Sequence, residues 1–153
     1  ALAEGPCSLG KLQAAVPDYG FFDVLVVCSI LTQNGLVEPA PMRECTDGGE
    51  GARRLNRVLA QRTLRGESFG VLAAPVIGSA VTTGDLESCC YHRIVSDGVE
   101  DPAELARLVT EDLAKIERKP TFEGEEADED RFVQFCTDLF AEKVPAWRRL
   151  GAL

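Results

Sequence analysis

The segment from Asp101 to Pro120 constrains the fold more than any other part of the chain. Asp101 suits an N-cap, Pro102 suits the first helical position, and Glu104 falls three residues after the cap. Leu105, Leu108, Val109, Leu113 and Ile116 then keep helical spacing until Lys119-Pro120 ends it. After a loop over 121–127, Phe132, Phe135, Cys136, Leu139 and Phe140 form a second, wider apolar stripe. This stripe predicts a helix from about Asp128 to Lys143. Asp128, Glu129 and Asp130 sit at its positive end, and Pro145 is its expected stop. Neither helix can hide its stripe alone, so the two call for a packed, helical second half.

The first half is less regular. Ser8 can cap a short helix through Ala15, which Pro17 stops. Asp18–Leu31 carries apolar residues on every face, so its period does not separate helix from strand, and its length favours a buried helix. Glu38–Gly51 reads as a loop tethered by Cys45. Gly51–Leu64 reads as a helix with Leu55, Val58 and Leu59 as its apolar face. Pro75 and Gly78 divide Phe69–Val81 into two short strands or irregular buried chain. Cys89–Val95 reads as one more short strand. The expected fold is mainly α: a compact, disulfide-stabilised helical domain with a few short strands, α+β being the alternative. With 153 residues, one globular domain over 1–153 is large enough to bury a core.

The six cysteines, Cys7, Cys28, Cys45, Cys89, Cys90 and Cys136, are disulfide candidates. An even, high count points to an oxidising compartment, with buried thiols as the alternative. Cys89 and Cys90 are adjacent, so each is expected to bridge to a different partner. The chain begins at Ala1, not at Met, which fits removal of a signal or transit segment. Secretion or an organelle lumen is the expected location. No Cys-x-x-Cys pair exists and His92 is the only histidine, so neither a metal site nor a cofactor is expected.

Charge is segregated. The chain carries −9 overall, and Asp97–Asp130 holds 13 acids against four bases, the whole of that excess. Arg53, Arg54, Arg57, Arg62 and Arg65 instead crowd a stretch without a single acid. They are candidate partner-binding residues: they either face the acidic segment inside the fold, dock an acidic partner, or remain solvated. The net charge and the absence of interleaved aromatics speak against nucleic acid. The longest apolar stretches, Gly20–Leu31 and Phe69–Val81, are too short for a membrane span.

Two fragments suggest catalysis and neither is complete. Gly66-Glu67-Ser68-Phe69-Gly70 fits Gly-x-Ser-x-Gly, but that elbow needs a strand entering and a helix leaving. Its only base would be His92, oriented by Asp85 or Glu87. Cys90 and His92 would share a face if their segment were a strand, yet a disulfide would consume the thiol. No catalytic residue is assigned.

Pro17-Asp18-Tyr19, the apolar helix after it and Gly35-Leu36-Val37 resemble the opening of fasciclin-type adhesion domains. Phe69–Val81 and Tyr91-His92 follow in the order of that family's later motifs, without its closing Asn-Gly and strand. Separately, Cys89-Cys90-Tyr91, a helix, Cys136 and Val144-Pro145-Ala146-Trp147 are similar to BRICHOS chaperone domains, with a shorter Cys-to-Cys spacing. These resemblances imply an adhesion or a chaperone module. The residues themselves point first to a non-enzymatic, secreted or lumenal binding protein, an accessory subunit or partner in a larger protein assembly. A carrier of a small apolar ligand, held among Phe21, Phe22, Phe132, Phe135 and Phe140, is the alternative, and a small Ser or Cys hydrolase comes last.

Overall fold

A computed structural model of the chain describes residues 7–37, 39, 49–122 and 124–153. It is mainly helical, with two small two-stranded sheets. The chain falls into two compact units, Ala1–Met42 and Arg43–Leu153.

In the first unit, α1 (Leu9–Ala15) begins where the Ser8 hydroxyl accepts the Lys11 N–H at 3.3 Å. Then α2 (Phe21–Gln33) begins where the Asp23 carboxylate accepts the Gly20 N–H at 2.9 Å. The two helices pack together. Length therefore decided correctly for helix in α2, but its burial differs from expectation. Only Val24 is buried, and Phe22 is 74 % exposed. A helix apolar all round needs cover on several sides, and the seven residues of α1 cannot provide it.

The second unit holds the main core. It runs α3 (Gly49–Thr63), β1 (Val71–Ala74), a 3₁₀ turn at Pro75–Ile77, β2 (Ser79–Thr82), α4 (Asp85–Asp97) and α5 (Pro102–Lys115). It continues through β3 (Thr121–Phe122), β4 (Glu125–Glu126), α6 (Glu129–Asp138), a π turn at Leu139–Lys143 and α7 (Val144–Arg149). The strands form antiparallel hairpins, with Leu72 opposite Val81 and Thr121 opposite Glu126. Pro75 and Gly78 do lie in the turn between β1 and β2, where Gly78 has φ 62°. Helix α3 packs on α4 and β1, α4 packs on α5, and α5 on α6. Leu72, Tyr91, Leu105, Val109, Phe132 and Trp147 are central to this core.

The caps at Asp101 and Asp128 are as expected, each carboxylate accepting an N–H three residues on at 2.8 Å. Two further expectations are corrected. Cys89–Val95 is not a strand but the middle of α4, whose start is fixed by Glu87 accepting the Gly84 N–H at 3.0 Å. Pro145 does not stop the chain's helical course: the π turn absorbs the break, and Pro145 falls in the first turn of α7, where its missing N–H costs nothing. No described helix is long and apolar enough to cross a membrane.

Candidate functional site: the outer face of the arginine helix

Helix α3 is turned partly away from its expected apolar face: of Leu55, Val58 and Leu59, Leu59 alone is partly buried. Its sealed side presents Asn56, Ala60 and Thr63, all buried. Leu55 and Val58 instead face outward, 49 % and 51 % exposed. Small side chains at 60 and 63 let the helix backbone lie close to its neighbours, which bulkier residues would prevent. Asn56 is the polar exception, and its partners explain it. Its Nδ2 donates to the Ala73 carbonyl at 2.9 Å and the Ala152 carbonyl at 3.1 Å, while its Oδ1 accepts the Ala73 N–H at 2.7 Å. Tyr91 donates its hydroxyl to the same Ala152 carbonyl at 2.7 Å and packs edge-on to Trp147. Burial raises the Tyr91 pKa, keeping that hydroxyl a donor.

The five arginines divide between two sides. Arg53 and Arg57 lie nearest Tyr91, where their charge opposes the effect of burial on it. Arg54, Arg62 and Arg65 are exposed and, by the helical period, flank Val58. Arg54 pairs with Glu50 at 3.2 Å. Arg62 pairs with Glu67 at 3.0 Å and lies over the Phe69 ring. Among the described residues, no carboxylate of Asp97–Asp130 pairs with any of these arginines. That segment's described ion pairs go to Arg93, Arg107, Lys115, Lys119 and Arg131. The described residues of the acidic segment and the arginine helix therefore do not neutralise each other through paired side chains.

The catalytic fragments do not assemble. The Ser68 hydroxyl donates to Asp85 at 2.7 Å and makes no hydrogen bond with His92. A helix enters the Gly-x-Ser-x-Gly turn and a strand leaves it, the reverse of a nucleophile elbow. On α4, Cys90 and His92 cannot share a face as they would on a strand. Burial, then the Asp85 charge, push the Cys89 thiol up to about 12, so it is not a thiolate near neutrality.

Cys89, Cys90 and Cys136 are buried, Cys7 and Cys28 are partly exposed, and none of these five is bridged in the structure. Cys45 lies outside the described residues. The Cys136 sulfur stands beside Cys90 and, with burial second, holds that thiol well above its ordinary range. No group of three metal-binding side chains converges among the described residues.

The expected aromatic cluster divides as well. Phe132 is core, Phe135 and Phe140 are partly buried, and Phe21 and Phe22 are exposed on α2 of the first unit. Phe135 opens on a cleft of about 830 Å³ beside the β3–β4 hairpin, which sequence reasoning did not foresee. Its walls come from the start of α4, the end of α5, the hairpin and α6, so no single stretch of sequence announces it. No family model, no curated protein and no solved structure matches this chain.

Proposed function

We propose that the protein is a non-enzymatic binding or accessory subunit that docks an acidic protein partner on the outer face of α3, in a secreted or organelle-lumenal setting. The observation that carries this reading is the orientation of α3. A helix that seals its Asn, Ala and Thr and leaves Leu55 and Val58 half-exposed among arginines is arranged for contact outward. An apolar centre with a charged rim is the usual anatomy of a protein interface. The rim's sign favours a partner with clustered carboxylates. Glu50 and Glu67 answer Arg54 and Arg62 from within, through exposed pairs that a partner's carboxylates can replace. The even, high count of six cysteines is what supports the oxidising compartment.

A photo-crosslinking residue at position 58, introduced in the organism that makes the protein, tests the docking face. The expected result is a discrete adduct with an acidic protein, lost when Arg54, Arg62 and Arg65 become Glu. Adducts only within one chain, or only with a second copy, overturn the reading. Alkylation of the unreduced protein tests the compartment. Six reactive thiols would exclude the disulfides.

A further inference from the structure

We propose that the cleft beside the β3–β4 hairpin is a second, separate binding site, for a small aromatic carboxylate. Its volume, about 830 Å³, lies within the range of small-molecule sites. Leu86, Leu113, Phe122 and Phe135 give it an apolar lining, with the two phenyl rings 5.1 Å apart. A flat aromatic body matches such a surface.

The sign of the ligand follows from which lining charges are already satisfied. Among the described residues three carboxylates line the cleft, and each accepts a hydrogen bond from the protein. Asp85 accepts the Ser68 hydroxyl at 2.7 Å, Glu87 accepts the Gly84 N–H and the Thr83 hydroxyl at 3.0 Å each, and Asp138 accepts the Gln134 amide at 2.8 Å. The two guanidinium groups are different. Arg118 comes no closer than 3.8 Å to Asp85, and Arg131 no closer than 4.0 Å to Glu125. Neither side chain makes a hydrogen bond among the described residues, and Arg131 lies 5.0 Å over the Phe122 ring. A planar fork of donors beside an aromatic wall is the geometry that recognises a carboxylate on a ring. The surrounding segment is acidic, so the charge of the ligand cannot hold it alone. The apolar body must supply most of the affinity, and acetate should not bind.

Titration of the full chain with sodium 2-naphthoate, followed by calorimetry and amide NMR, tests this. Saturable binding is expected, with shifts at Phe122, Arg131 and Phe135. 2-Naphthamide should bind about tenfold more weakly, and so should naphthoate to the Arg118→Gln, Arg131→Gln double variant. Both arginines are nearly half exposed, so the double variant should keep the wild-type melting temperature. Arg107→Gln, on the outer side of α5, should leave affinity unchanged. Absence of saturable binding, equal affinity for the amide, tighter binding of 2-naphthylmethylamine, or an unaffected double variant would each overturn the proposal.

Discussion

Glu117 is the one described residue other than glycine with a left-handed backbone, at φ 57°. It follows the last turn of α5, where the Glu117 N–H reaches the Ala114 carbonyl and the Arg118 N–H reaches the Leu113 carbonyl. The same pair of bonds closes α7, but there the left-handed residue is Gly151. Gly151 has a second reason to lack a side chain, because a Cβ would come within 3.0 Å of Pro75. Glu117 has no such excuse and carries the cost of the conformation. Glu117→Gly should therefore raise stability by about 0.5–1 kcal/mol in a denaturant melt. His92 makes a prediction of opposite kind. Its Nδ1 is buried without a hydrogen-bond partner among the described residues. Burial first, then the Arg93 charge, hold its pKa below the ordinary 6.5, against the opposing pull of Asp112 and Asp97. The fold thus favours the neutral ring. That contribution is complete above pH 6.5 and is lost as pH falls below it towards the folded-state value. Melts from pH 7 downward should show this loss, and His92→Leu should remove it.

Between elements, α4 and α5 are joined by an ion pair that the sequence did not disclose. Arg93 grips Asp112 with two bonds of 2.6 Å, and Lys115 adds a third at 2.7 Å. Burial would raise the Asp112 pKa, but these bonds outweigh it and hold the carboxyl below its ordinary range. Asp112→Ala should cost roughly 1–3 kcal/mol, because it leaves Arg93 largely buried with Asp97 as its one remaining described partner. The stability that Asp112 contributes is lost on acidification only below about pH 3.8, well separated from the loss at His92. On α5, Val109 is sealed and Leu108 only partly so. Leu108→Ala should cost about 1–3 kcal/mol, and equal loss to that of Leu105→Ala would mean the helix is rotated. The boundaries of α5 and α6 were legible because their caps are side chains with recognisable spacing. Helix α4 was missed because Tyr91, Ile94 and Val95 favour strands, while its cap signal, Gly84 with Glu87 three residues on, is weaker than a Ser or Asp cap. The outward turn of α3 was illegible for a deeper reason. Hydrophobicity alone cannot tell that Asn56 will find three backbone partners at 73 and 152, and those partners are what make burying it cheaper than burying Leu55.

Across the whole molecule, the charge pattern was readable and its arrangement was not. Composition locates the acidic excess in Asp97–Asp130 but cannot say which bases it meets. The structure sends those carboxylates to bases of α4, α5, α6 and the segment after α5, and leaves α3 to itself. Likewise the cysteines were countable, whereas the nearness of Cys90 to Cys136 depends on how α4 and α6 lie.

The Asn56 junction also has a consequence in time. Its bond to Ala152 spans 96 residues of chain, so it cannot form until most of the second unit has collapsed. A contact that closes late is absent from the folding barrier and present only in the finished state. Asn56→Ala should therefore leave the refolding rate nearly unchanged and accelerate unfolding, by about tenfold for each 1.4 kcal/mol lost, in stopped-flow measurements. A variant that instead slowed refolding would place this junction at the start of folding. If it forms late, the Asn56 amide acts as a latch: it governs how long the folded molecule lasts, and hardly how fast it is made.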